Sequence, residues 1–320
     1  MTSVYDVLEA LLCCETRCAL ATIIHVEGSA YRKEGTMMLF QEDGTKVGML
    51  SAGCIEEELF YYAADVMEHK TWAIHTFNTK AEDDLSWGVG CNGVIHVLVE
   101  HIDDTYKAIL QDLYIHLANG SSAWVVKNLS LGQTVLLYNN GNILGNWEGA
   151  IPKVTGLKNG LQDAYYSQHF IPKPRLFIFG AGEDAKPLVR FAKETSFFVT
   201  VCDWREGLCN TDQFPNADEC VVGFPVEMIK NLFLHPSDFL VIMTHHFEKD
   251  RQLLSLLLEK SVRYIGILGP RHRTERLLEG KLIPHHLHFP VGISIGAQGP
   301  SEISISIMAE IIGELRGEVR

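Results

Sequence analysis

The chain of 320 residues is long enough for two domains, and at 47% hydrophobic and 21% charged it has the make-up of an ordinary globular protein. A formal net charge of -13 sets it against a nucleic-acid duplex and an anionic membrane surface, so neither is expected as a partner. Eight cysteines with no CxxC pair are too sparse for a disulfide scaffold and point to a reducing, cytoplasmic setting.

The opening stretch reads as an amphipathic helix from Val4 to Cys14, not as a basic, cleavable leader. Its thiols, with Cys18, are expected as small packing groups. No apolar run reaches the roughly 18 residues that a membrane-spanning helix needs. A strand follows over Cys18 to Val26, then the turn-rich Gly28-Ser29-Ala30-Tyr31-Arg32. Thr36 to Phe40 and Val47 to Leu50 read as a hairpin around Asp43-Gly44. Ser51-Ala52-Gly53-Cys54 is expected to open a helix reaching His69, with Ser51 as its cap and Glu56, Glu57 and Glu58 in a first turn that favours acids. Strands are expected at Ile74 to Asn78 and Val94 to His101, with Gly90-Cys91-Asn92-Gly93 in the loop between them, and a helix over 101–118. The hairpin-rich segment near 121–150 is broken by Asn139-Asn140-Gly141-Asn142.

Ile171-Pro172-Lys173-Pro174 resists both helix and inner strand, which divides the chain into domains of residues 1–170 and 171–320. Beyond it, apolar runs alternate with helical stretches. The runs are Arg175 to Phe179, Phe198 to Cys202, Glu219 to Val222, Phe239 to Thr244, Tyr264 to Leu268 and Val291 to Ile295. This alternation predicts an α/β protein: a C-terminal parallel sheet covered on both faces, behind an N-terminal mixed α/β domain.

Gly180-Ala181-Gly182-Glu183-Asp184-Ala185 has the GxGxxA spacing, follows a strand and opens a helix. Asp203 ends the next strand 23 positions after Gly180, near the usual ~20. The whole unit reads as a Rossmann-type nucleotide turn. Gly180 permits the tight turn, Gly182 the approach of a pyrophosphate, and Asp203 a bond to a ribose hydroxyl. Arg205 weakens the preference for NAD that Asp203 gives. Glu183 and Asp184 at the helix start repel an anion. His245, Gly269 and Arg271 follow later strands and converge on the same crevice, with His245 as base or orienting group. That crevice suits a nicotinamide-dependent oxidoreductase.

Two cysteines sit among glycines. Cys54 at a helix start is favoured as thiolate, and Cys91 lies in a glycine loop; either is a candidate soft-metal ligand. His285, His286 and His288 have no acid near them in sequence and read as solvated loop histidines.

Several of these stretches together resemble the XdhC/CoxI family of accessory proteins for xanthine dehydrogenase and related molybdenum hydroxylases. They are Gly28 to Arg32 with Gly35-Thr36-Met37-Met38, Ser51 to Glu56, Gly90 to Gly93, Gly180-Ala181-Gly182, Asp203-Trp204-Arg205, Thr244-His245, Tyr264 to Gly269, Ile295-Gly296-Ala297 and the closing Ser301 to Glu310 helix. Tyr31, Ala52 and Asn92 depart from the family's usual proline and glycines. The resemblance implies a non-enzymatic chaperone that binds the molybdenum cofactor, protects it during sulfuration and delivers it to a molybdenum hydroxylase apoenzyme. A cysteine desulfurase is the implied second partner, and a homodimer the expected assembly. Ser29 and Arg32 are then candidate contacts for the anionic pterin, and Cys54 and Cys91 for the metal. NAD or another nucleotide remains a ligand for the Rossmann crevice.

Overall fold

A computed structural model describes residues 3–51, 53–78, 93–162 and 165–317. The chain divides into two compact units, Thr2–Pro172 and Lys173–Arg320.

The N-terminal unit opens with α1 (Val4–Cys13), where Ser3 and Asp6 form a reciprocal capping box. Then come β1 (Cys18–Gly28), β2 (Met37–Gln41), β3 (Lys46–Gly48), α2 (Glu56–His69), β4 (Trp72–Asn78), β5 (Gly93–His101) and α3 (Asp104–Ala118). The expected hairpin-rich segment holds β6 (Ala123–Asn128), β7 (Gln133–Tyr138) and β8 (Ile143–Gly145), and β9 (Gly160–Gln162) and β10 (Tyr165–Phe170) follow. Two five-stranded antiparallel sheets result, ordered β3-β2-β1-β5-β4 and β8-β7-β6-β10-β9.

The middle strand β1 explains why its sequence is a solid apolar run. Ala19, Ala21 and Ile23 pack with Leu59, Ala63 and Val66 of α2 on one face. Cys18 and Leu20 on the other face meet Leu8 and Leu11 of α1 and Leu110 and Leu113 of α3, in a cluster that continues to Val125 and Leu136 of the second sheet. A strand covered on both sides has no reason to alternate. Two thiols of the opening stretch behave as expected: Cys14 and Cys18 are buried, whereas Cys13 is exposed. In the same unit Lys127 is buried, its ammonium donating to Glu100 and Tyr106. Burial pushes the Lys127 ammonium down and the Tyr106 phenol well up.

The C-terminal unit runs β11 (Arg175–Phe179), α4 (Ala185–Glu194), β12 (Phe198–Asp203), β13 (Glu219–Val222), α5 (Pro225–Asn231), β14 (Phe239–Ile242), α6 (Phe247–Leu257), β15 (Tyr264–Ile267), α7 (Arg271–Leu278), β16 (Leu287–His288) and α8 (Gly299–Arg316). Its six strands are parallel and ordered β13-β12-β11-β14-β15-β16, a doubly wound sheet whose direction of build reverses between β11 and β14. Side chains alternate between faces. Leu176 and Ile178 pack with Leu188 and Val189 of α4 and Ile307 and Ile311 of α8. Phe177 and Phe179 pack with Leu253, Leu254 and Leu277 on the other side.

One expected strand is corrected. Val291 to Ile295 is loop, and the sixth strand is Leu287–His288. The apolar character of Val291 belongs to packing against Gly266, where a Cβ would lie 2.4 Å from a Val291 methyl. The histidine cluster is also corrected. His288 stacks on Tyr264 with centroids 4.3 Å apart and lies 3.3 Å from Glu310 of α8, so it holds the last helix to the sheet edge instead of facing solvent.

Candidate functional site

The antiparallel registers of the first sheet bring three motif loops to one end of it. Gly28, at the exit of β1, pairs with Gly93 at the entry of β5. Met38 of β2 pairs with Gly48 of β3, and Asn78 of β4 pairs with Val94. The segments that carry Ser29 and Arg32, then Ser51 to Cys54, and the approach to Gly93 therefore all leave from this end. A Cβ on Gly93 would lie 2.5 Å from the Ser29 carbonyl oxygen, so only glycine lets the first loop cross there. Gly35, in the left-handed region, closes that loop, and its carbonyl accepts a 3.0 Å bond from Gln168 of β10.

Ser29 is exposed on this loop and Arg32 half-buried. The Arg32 guanidinium carbon sits 5.6 Å from the centre of the Tyr31 ring. Its Nε is buried with no hydrogen-bond partner. A buried donor without an acceptor costs free energy, and an anion entering at this loop removes that cost.

The Ser51 to Glu56 stretch differs from the sequence expectation. The helix begins at Glu56, with Ile55 at the capping position and no side-chain cap. Ser51 does not cap it. Its Oγ accepts from the amides of Gly53, Cys54 and Ile55 at 3.2, 2.9 and 3.4 Å and donates to Glu56 Oε2 at 2.6 Å. The Glu56 carboxylate also accepts from the amides of Leu50, Ser51 and Ile55. Burial works to raise the Glu56 carboxyl, but the Ser51 hydroxyl and these amides outweigh it and hold the group below its usual range. The loop is thus wound around one internal carboxylate, and Cys54 is exposed two residues ahead of the helix. Cys91 lies outside the described residues. Sequence reasoning passed over His96, which stands 3.0 Å from Thr76 Oγ1 and 3.3 Å from Glu27 near the same sheet end. Its signal is its place opposite His25, which only the register reveals.

In the second unit the glycine turn joins β11 to α4 at the carboxyl ends of the strands. Gly180 has φ +127°, and a Cβ there would lie 2.5 Å from the Met243 carbonyl oxygen. Asp203 closes β12 and is 1% exposed. Its carboxylate accepts from the Ala181 amide at 2.7 Å, the Arg205 amide at 2.9 Å, and Arg205 Nε and Nη2 at 2.9 and 2.7 Å. Burial raises its carboxyl and these donors more than reverse that, leaving it lowered. Four donors meet the roughly four lone-pair sites of a carboxylate, so the expected role in holding a ribose hydroxyl gives way to an internal tie between turn and strand.

Beyond β14, Thr244 donates to the buried Asp250 of α6, which also takes a 2.6 Å bond from Arg273 Nη2 of α7. This buried link, invisible in sequence spacing, fixes the loop that carries His245. His245 adopts φ +60° and places Nε2 2.6 Å from Asp184 Oδ2. Gly182 lies under the same carboxylate, since a Cβ on it would be 2.5 Å from Asp184 Oδ1. Gly269 has φ +127° and lies beside Arg273. Arg271 points away into an exposed pair with Glu275 at 3.1 Å. The structure therefore joins Gly182 with His245 and Asp203 with Arg205, and gives Arg271 no share in either group. Trp204 carries Arg205 at 4.7 Å and Lys249 at 5.7 Å from its ring centre.

Among the described residues, no helix is long and apolar enough to cross a membrane. No group of three or more His, Cys, Asp or Glu side chains among them is arranged to hold a metal ion.

The chain matches two family models, one described as the XdhC Rossmann domain over residues 176–311 and one as the XdhC and CoxI family over residues 14–78. It is 39% identical over 322 residues to a Bacillus subtilis protein described as a probable xanthine dehydrogenase component, covering 98% of this chain and 97% of that protein. An uncharacterized protein of Escherichia coli, YqeB, is 32% identical over 165 residues, 48% of this chain and 29% of its own length. A crystal structure described as a xanthine dehydrogenase from Bacillus halodurans superimposes with a TM-score of 0.91 at 44% identity, covering 99% of this chain and 96% of that one.

Proposed function

The chain belongs to the XdhC and CoxI family, and from that premise we propose that it is a maturation chaperone that binds the molybdenum cofactor at the loop end of its first sheet and passes it to a xanthine dehydrogenase-type molybdenum hydroxylase. The observation that carries this reading is the gathering of the Ser29–Arg32 and Ser51–Cys54 loops at one sheet end, with the Arg32 Nε buried and unpartnered. The residues fit the group. An anionic pterin phosphate suits the Arg32 guanidinium and the Ser29 hydroxyl, and an exposed thiol at Cys54 suits a soft metal. The cofactor supplies the molybdenum chemistry of the recipient enzyme. The chain's own part is to hold the anion, screen it from water and release it to the apoenzyme. The recipient hydroxylase, a sulfur-donating cysteine desulfurase and a second copy of the chain are the partners that this reading names, all in the cytoplasm.

The nicotinamide-oxidoreductase alternative asks for a pyrophosphate at the glycine turn. Asp184 over Gly182 stands against it.

The test is anaerobic purification after co-expression with cofactor biosynthesis, followed by measurement of bound molybdenum and pterin. Comparable molar amounts of both are expected. Absence of both overturns the carrier reading. Cys54→Ala separates thiol ligation from Arg32 anchoring: lost molybdenum with retained pterin assigns the metal to Cys54.

A further inference from the structure

Asp184 stands at the capping position of α4 but makes no capping bond. Its two oxygens do other work. Oδ1 fills the space above Gly182, 2.5 Å from where a Cβ would be, and Oδ2 is 2.6 Å from His245 Nε2. In a nucleotide turn the second glycine is bare so that a diphosphate can approach the backbone. Here the bare space holds the chain's own carboxylate. The turn's amides are also partly committed, Gly180 to the Cys202 carbonyl at 2.8 Å and Ala181 to Asp203 at 2.7 Å. His245 takes a left-handed backbone, uncommon outside glycine, at the point where its ring meets Asp184. Glu183 is different: its carboxylate turns to Lys186 at 2.6 Å and is largely exposed.

We propose that Asp184, latched by His245, is a specificity-determining residue that denies the diphosphate of a free dinucleotide its seat on the glycine turn. A carboxylate and a diphosphate cannot share that space, and their like charges oppose each other across it. Removal of the charge opens the seat. This inference is independent of the carrier reading, because it concerns the second unit and is read by a different ligand.

The probe is NADH, titrated into the full-length protein and followed by nicotinamide fluorescence. The wild type is expected to show no saturation below about millimolar NADH. Asp184→Asn and Asp184→Ser are expected to bind at least about tenfold more tightly, the scale of one removed like charge. Glu183→Gln is expected to leave affinity where it was. Three results overturn the proposal: saturation of the wild type at micromolar NADH, unchanged affinity in the two Asp184 variants with native circular dichroism, or an equal gain in Glu183→Gln. The last would make the effect one of general charge, not of an occupied seat.

Discussion

The two glycine-rich loops of this molecule use a carboxylate in opposite ways. At the loop end of the first sheet, Glu56 is drawn inside, consumes the amides around it and leaves a cation, Arg32, with a buried donor unmet. At the turn between β11 and α4, Asp184 stays outside the fold of the turn and lies on top of it. One region is short of an anion, and the other carries its own. Glycine content and helix starts look alike in both, so loop composition does not tell which turn awaits a ligand. The fate of the nearest carboxylate does.

Four changes break or sharpen this contrast. The largest concerns the support of the second region: Asp250→Ala leaves Arg273 and Thr244 without their buried partner and should destabilise the C-terminal unit by about 3–5 kcal/mol, read by urea unfolding. Next is Glu56→Ala, which strands the Ser51 hydroxyl and several amides. A loss of about 1–3 kcal/mol is expected, together with faster alkylation of Cys54 as its loop loosens. The conservative Glu56→Gln tests charge. Glu56 titrates in the fold below its unfolded value of about 4.3, so the stability it contributes is complete above that pH and is lost as pH falls through the lower folded value. The variant should therefore lose less stability than the wild type on acidification through that window; an identical acid limb would remove the charge from the account. Third, Arg32→Ala should lower pterin retention about tenfold, or about 1.4 kcal/mol, with the midpoint of unfolding little changed. Smallest is Arg271→Ala, which breaks only an exposed pair with Glu275 and should change stability by less than about 0.5 kcal/mol.

The doubly wound sheet was legible because its strands are short apolar runs with helices between, and because Gly180, Gly182 and Asp203 stand at the right spacing. The residues that converge were legible as positions beyond strand ends. Their bonds were not. Asp203 was readable as a ligand for a ribose, yet the Ala181 amide and Arg205 fill it, which spacing cannot show. Glu56 looked like one of three acids suited to a helix start; only burial separates it from Glu57 and Glu58. His288 seemed to lack an acid because Glu310 is 22 positions away and arrives on α8. The second sheet of the N-terminal unit announced its hairpins, but β10 joins β6 across a long separation that local pattern does not encode.

The saturated carboxylate of Asp203 has a practical consequence. A turn tied to its strand by internal donors is as firm empty as full, so occupancy adds little to the melting temperature beyond mass action on whatever binds. Nucleotide screens by thermal shift will be nearly silent on this unit. The informative shift is expected from ligands of the first unit, where an arriving anion relieves a donor that folding left unpaid.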